Sequence, residues 1–233
     1  MASAAAFSDW QRAHSRSRLA ELLDRAAAGE FPPADGGVTV LPQPAERDAG
    51  VLGFTAHAVV FADLDPDWIA AQLPPDDLAA PLSASFLHAL GRKLGRESHS
   101  VDLLTCAEPL DGPPDPALGL AELPAATVGG VQSHPRVIRA LRYRDEVRVW
   151  QADGGLVSLG CGLAGRLEVS VEVEPGSRGA GLGRRLATAA RHLVPGGAPL
   201  WAQIAPGNAA SVRAFLGAGF RPVGAEALLA GPD

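Results

Sequence analysis

Between Leu167 and Arg185 the chain gathers residue types that can do chemistry. Carboxylates stand at Glu168, Glu172 and Glu174, glycines at Gly179, Gly181 and Gly183, and guanidinium groups at Arg178, Arg184 and Arg185. On an extended strand the glutamates share one face with Ser170, opposite Val169, Val171 and Val173, and a carboxylate there can take a proton directly or through water. The glycines lead into Leu182, Leu186, Ala189, Ala190 and Leu193, which fall on one helical face. A helix entered from a loop of small residues leaves backbone N–H groups unpaired in its first turn, and the positive helix end adds to their pull on an anion. The elements that must position these groups are therefore a strand broken at Pro175-Gly176, a glycine loop and a helix. Together they read as a pyrophosphate cradle.

A P-loop would need Gly-Lys-Ser/Thr, whereas Gly183 is followed by Arg184 and Arg185. A dinucleotide fingerprint would need Gly-x-Gly-x-x-Gly and an acid about 20 positions on. This loop runs Gly179-x-Gly181-x-Gly183 with no such acid. What the loop resembles is motif A of the GNAT superfamily of acetyl-CoA-dependent N-acetyltransferases, whose Arg/Gln-x-x-Gly-x-Gly/Ala pattern is matched by Arg178, Gly181 and Gly183. Downstream, Pro199 to Ile204 reads as a short strand. Asn208 to Ser211 opens a helix carrying Val212, Phe215 and Leu216, and Gly219-Phe220 ends it before a last apolar strand. This is similar to the family's second motif, and the resemblance covers roughly Ser133 to Ala230.

The resemblance implies that the strand before the loop and the next strand splay apart, so that the pantetheine arm of acetyl-CoA pairs with the exposed backbone of Val171, Glu172 and Val173. It places the pyrophosphate on Arg178, Gly179, Ala180, Gly181, Leu182, Gly183 and Arg184, and sets Asn208, Ser211 and Phe215 beside the arm. The implied reaction is direct attack of an amine on the thioester carbon, with an N–H near Val173 steadying the oxyanion and positioning doing much of the work. The amine must be neutral, so a base is required. Glu172 is the first candidate, with Glu168 and Glu174 as alternatives, and the competing reading is that these acids line the solvated side of a sheet. Gln203, where some relatives place a base, cannot serve. The thiolate is usually protonated in this family by a tyrosine seven positions after the helix-opening asparagine, and here that position is Phe215. Loss of a positioned acid costs ~10² to 10⁴ in rate. A thiol with pKa near ~8.5 still leaves tolerably as a thiolate, to be protonated later by water or Ser211. Two functions follow: an N-acetyltransferase acting on a primary amine of a small molecule, with a protein or peptide amine as the other acceptor, or a non-catalytic acyl-CoA-binding or regulatory protein.

The chain has 233 residues, 47% of them apolar, enough for one large domain or two small ones with a real core. The first residues carry no basic lead or long apolar run, and no stretch approaches the ~20 apolar residues of a membrane span. The expectation is a cytoplasmic protein with no membrane partner. Cys106 and Cys161 sit singly in apolar runs with no Cys-x-x-Cys pair or His cluster, which suggests small core residues and no metal. The net charge of −6 divides unevenly. Residues 125–233 hold 12 Arg and 8 acids, net +4, and residues 1–124 hold the remaining 8 basic and 18 acidic residues, net −10. A positive half suits an anionic cofactor, and an acidic half suits a cationic amine and repels nucleic acid, unless its acids are simply a solvated face.

The pattern predicts an α/β (α+β) protein. Its mixed, mostly antiparallel GNAT-type sheet is flanked by helices over 125–233, and an additional α/β lobe over 1–124 is either a degenerate copy or an acceptor-side lobe. In the first lobe, Ser8 and Gln11 form a capping box for a helix to about Ala28, and a short strand follows at Val38–Leu41. A longer strand spans Val51 to Phe61, Asp65-Pro66 starts a helix, Ser83 to Leu94 is helical, and Ser100 to Cys106 is a buried strand. The proline-rich stretch from Pro109 to Pro124 marks the boundary. Beyond it a helix opens at Ser133-His-Pro135. Glu146 to Ala152 and Leu156 to Leu163 then form a hairpin across Asp153-Gly154, which delivers the chain to Leu167.

Overall fold

The computed structural model describes residues 17–124 and 134–231, and they divide between two compact units. The glycine-loop unit comprises Thr105–Ala202 and Gly207–Arg221; the amino-terminal unit comprises the described residues up to Leu104, Gln203–Pro206 and the chain from Pro222. Among the described residues the chain first changes unit at Leu104–Thr105, and the proline-rich stretch from Pro109 to Pro124 follows within the glycine-loop unit. That stretch has no periodicity, yet several of its backbone groups find partners within the glycine-loop unit. Leu110 N–H donates to the Arg191 carbonyl at 3.0 Å, and the His192 ring bonds the carbonyls of Asp111 and Gly112 at 3.0 and 3.1 Å.

In the amino-terminal unit, α1 (Arg18–Ala27) is capped by Ser17, whose side chain accepts from Ala20 N–H. The Ser8–Gln11 capping box lies outside the described residues. Strand β1 (Val38–Leu41) pairs in parallel with β3 (His57–Phe61), which pairs antiparallel with β2 (Ala49–Phe54). The single strand expected over Val51 to Phe61 is therefore a hairpin. Its turn runs through Thr55 and Ala56, and Ala56 takes a positive φ of 49° that no Gly or Asn announces. Asp65 caps α2 (Pro66–Ala71), and Ser83 caps α3 (Ala84–Leu94), which ends at Gly95 in the left-handed region. Val51, Val60, Ile69, Phe86, Leu90, Ala227 and Leu229 form the core of this unit. A short chain of polar contacts ties its loop to its sheet: Asp35 bonds the His57 ring at 2.8 Å, and the other ring nitrogen meets Thr39 Oγ1 at 2.9 Å.

Strands β4 (Glu97–Ser98) and β5 (Asp102–Ala107) lead into the glycine-loop unit. There β6 (Ala121–Glu122), β7 (Asp145–Ala152), β8 (Gly155–Cys161) and β9 (Leu167–Val173) are antiparallel neighbours. Strand β10 (Leu200–Ile204) lies parallel to β9. Register places Val149, Leu156 and Glu172 on one face of this sheet and Val157, Val171 and Val173 on the other. Helix α4 (Pro135–Tyr143) covers the first face, where Val137 packs with Val149 and Leu156. Helix α5 (Leu182–His192) covers the valine face through buried Leu186, Ala187 and Ala190. Helix α6 (Ala209–Gly217) packs on α5, and β11 (Arg221–Ala230) follows, pairing with β2 and β4 across its residues in the amino-terminal unit. Helix, three antiparallel strands, loop, helix, strand, helix, strand is the order the patterning predicts, and the mixed, largely antiparallel sheet flanked by helices is the predicted fold class. Both cysteines are buried in the core, and no helix among the described residues is long and apolar enough to cross a membrane.

Candidate functional site

The site is built at the end of β9. Its pairing with β10 is confined to Leu167↔Leu200 and Glu168↔Trp201, so from Val169 onward β9 is held on one side only, by β8. The direction of its free groups follows from the ladder. Glu174 N–H donates to the Gly154 carbonyl at 2.9 Å, and backbone groups alternate along a strand, so those of Val171 and Val173 point to the open side. The Val173 carbonyl is met there by Arg178 Nε at 3.1 Å.

Past Pro175–Ser177 the chain turns through Gly179 and Gly181, with φ of 87° and 79°. Glycine fits here because a side chain in the left-handed region costs about 1–2 kcal/mol. Gly181 is the N-cap of α5 and offers no capping side chain. The Arg185 N–H donates to the Gly181 carbonyl at 3.2 Å, so the N–H groups of Leu182, Gly183 and Arg184 stand at the uncapped positive end. A Cβ at Gly179 or Gly181 would meet nothing within 4 Å, so the space in front of the loop is clear. Gly183 lies beside Val173 and Ala214, and the Arg184 stem lies against Gly217. Arg185, read with the loop on sequence, instead pairs with Asp115 at 3.0 Å.

The three glutamates of β9 have different surroundings. Glu168 is buried at 4% exposure, between Arg144 Nε at 2.9 Å and Arg166 Nε at 2.8 Å. Burial alone would raise its pKa, but Arg166 and Arg144 outweigh that and hold it down to about 2. A carboxylate held charged between two buried guanidinium groups is a weak proton acceptor. Glu172 takes a forked bond from Arg136, Nε at 3.2 Å and Nη2 at 3.0 Å, and its other oxygen meets Arg178 Nη2 at 3.4 Å. Glu174 is exposed and makes no ion pair among the described residues. Glu172 and Glu174 line a cavity of about 100 Å³ with His134, Gln151, Gly155, Leu156 and Leu123. His134 caps α4 by accepting from Arg136 N–H at 3.2 Å.

On α6, Asn208 is the N-cap and accepts from Ser211 N–H at 3.1 Å. Phe215 is buried, its ring edge-on to Phe220 at 4.9 Å between centroids. Its ring packs in the core and has no proton to give. Arg136 and Arg144 have partners far along the chain, and Glu226 is buried and accepts from Gln203 Nε2 at 3.2 Å. No sequence signal marks any of these three.

No protein-family model matches the chain, and no curated protein matches it. Among solved structures, a GCN5-related N-acetyltransferase from Kribbella flavida is similar at 21% identity and a TM-score of 0.40, over 63% of this chain and 64% of that one. A protein described as an acetyltransferase of the GNAT family from Novosphingobium aromaticivorans is similar at 21% identity and a TM-score of 0.44, over 60% and 68%. A tandem GNAT protein from the clavulanic acid biosynthesis pathway is similar at 16% identity and a TM-score of 0.40, over 70% and 63%. The chain thus spans less than two thirds of the length of the first and third of these structures. Each of these three structures is described as an N-acetyltransferase, an acetyltransferase of the GNAT family or a GNAT protein, and the likeness of this chain to each is a partial likeness of fold.

Proposed function

We propose that the chain is a GNAT-type N-acetyltransferase that moves acetyl from acetyl-CoA to a primary amine of a small molecule. The observation that carries this reading is the open edge of β9 beside the uncapped start of α5. The N–H groups of the loop and first turn, from Gly179 to Arg184, cradle the pyrophosphate, with Arg178 and Arg184 adding charge. The backbone groups of Val171 and the carbonyl of Val173, which face the open side, pair with the amides of the pantetheine arm, and Asn208 and Ser211 stand at the start of α6. Acetyl-CoA is the co-substrate, and the residues present suit it because they supply donors for its anionic end and an unpaired strand edge for its arm.

The amine nitrogen attacks the thioester carbon, and an N–H at Val173 stabilises the oxyanion that forms. The carbon–sulfur bond then breaks and sulfur leaves as thiolate, which takes a proton from water or Ser211. The proton lost by the amine goes to a carboxylate. Glu174 suits this role better than Glu172, whose two oxygens are engaged by Arg136 and Arg178. The experiment is CoA release by the purified protein with a panel of primary amines, followed in Glu174→Gln and Glu172→Gln. Loss of ~10² or more in kcat in one variant names the base. Binding of acetyl-CoA with no release above background for any amine overturns catalysis.

A second reading, an acyl-CoA-binding protein without chemistry, is favoured by Phe215, which fills with a buried ring the position where the family carries its acid. Such a protein binds acetyl-CoA and is indifferent to both glutamate substitutions.

A further inference from the structure

Arg178 does two things in the structure besides standing in the glycine loop. Its Nε donates to the Val173 carbonyl at 3.1 Å, and its Nη2 reaches Glu172 at 3.4 Å. Glu172 is itself fixed by the fork from Arg136. The guanidinium therefore lies over the last free acceptor on the open edge of β9, held there by a carboxylate that cannot easily follow it. A ligand amide that donates to the Val173 carbonyl must displace the guanidinium or share the oxygen with it. A pyrophosphate at the start of α5 offers Arg178 a stronger, doubly charged partner a few residues from its present one.

We infer that Arg178 is a specificity-determining residue that admits the pantetheine arm only when the ligand also carries a pyrophosphate. Without a phosphate-bearing end, the guanidinium stays on Val173 and Glu172 and competes with the arm. With one, it moves to the anion and clears the strand edge. The site thereby selects acyl-CoA over acyl-pantetheine by more than the phosphate contacts alone provide, because the first contact removes an obstacle to the second. This rests on the reading of the site as an acyl-CoA site and goes beyond it by assigning a coupling between its two halves.

The experiment is calorimetric titration of the full chain with acetyl-CoA and with acetyl-pantetheine, the latter with and without saturating inorganic pyrophosphate. Wild-type protein is expected to bind acetyl-CoA, to bind acetyl-pantetheine weakly, and to bind it about threefold to tenfold more tightly when pyrophosphate is present, the size of one hydrogen bond released from competition. In Arg178→Ala, acetyl-pantetheine gains by a similar factor with no pyrophosphate effect, while acetyl-CoA weakens by about tenfold or more. Arg178→Lys keeps the charge and loses the fork that spans the carbonyl and the carboxylate. It is expected to retain more acetyl-CoA affinity than the alanine variant and to lose the pyrophosphate effect. If wild type binds acetyl-CoA but acetyl-pantetheine responds neither to pyrophosphate nor to Arg178→Ala, the coupling is overturned and the acyl-CoA reading stands. If wild type does not bind acetyl-CoA, both are overturned.

Discussion

Strand β9 carries two glutamate–arginine clusters four residues apart on the same face, and they are put to different use. Glu168 stands where β9 is still paired with β10, buried between Arg144 and Arg166, and the Arg166 guanidinium lies 5.4 Å from the centre of the Trp201 ring. Glu172 stands where β9 has lost that neighbour, and its arginines, Arg136 and Arg178, are partly open to solvent. The first cluster is locked by desolvation, since removing one ion strands the others in a medium that does not solvate them. The second is screened and exchangeable, so an incoming anion can take one of its arginines. The same residue types thus fasten the strand at one end and leave it open to ligands at the other.

The largest effect expected from this contrast is on stability. Glu168→Ala removes the carboxylate that both Arg144 and Arg166 bond within a buried cluster and costs about 3–5 kcal/mol, read as a lower midpoint in urea. If Glu168→Ala is within about 1 kcal/mol of wild type, the cluster is not the fastening described.

A smaller effect of the same origin comes from Gly162. A carbon added there meets the Glu168 carboxylate, so Gly162→Ala destabilises by about 1–3 kcal/mol, the range for overpacking a filled site. In the Glu168→Ala background the added methyl has room, and its cost shrinks, a non-additivity that thermal melts of the double variant detect.

Acid should separate the clusters in a different way. The folded pKa of Glu168 is depressed from 4.5 to about 2. Its contribution to stability is therefore complete above the unfolded value and lost as pH falls through the folded one. The stability gap between wild type and Glu168→Gln is expected to narrow as the pH drops from 4.5 toward 2, measured by denaturant unfolding across that range. A gap independent of pH contradicts the assignment.

The smallest stability effect belongs to the outer cluster. Glu172→Gln removes two partly exposed ion pairs and changes stability by about 0–1 kcal/mol, while its effects fall on ligand binding. A loss as large as that of Glu168→Ala would erase the distinction between the two ends of the strand.

How far the sequence reaches is also seen along β9. The alternation of Leu167 to Val173, the break at Pro175-Gly176 and the helical spacing from Leu182 identify strand, loop and helix, because periodicity is a local property. Which glutamate is buried is not local. Arg136 and Arg144 reach Glu172 and Glu168 across 36 and 24 residues, and nothing in the spacing distinguishes a carboxylate held by two buried guanidinium groups from one at the solvent edge. The hairpin at Thr55-Ala56 is hidden for a related reason: an alanine with positive φ turns the chain inside an apolar run that reads as one strand. Phe215 looks like a substituted acid when only its position is known, and its packing on Phe220 shows what that position does for the core.

Amide hydrogen exchange tests, residue by residue, whether the open edge of β9 receives the arm of acetyl-CoA. The N–H groups of Val171 and Val173 point away from β8, while those of Ser170 and Glu172 point toward it. On saturation with acetyl-CoA, exchange at Val171 and Val173 is expected to slow by about tenfold or more, with Ser170 and Glu172 protected before and after. Unchanged exchange at Val171 and Val173 while acetyl-CoA is bound would contradict the claim.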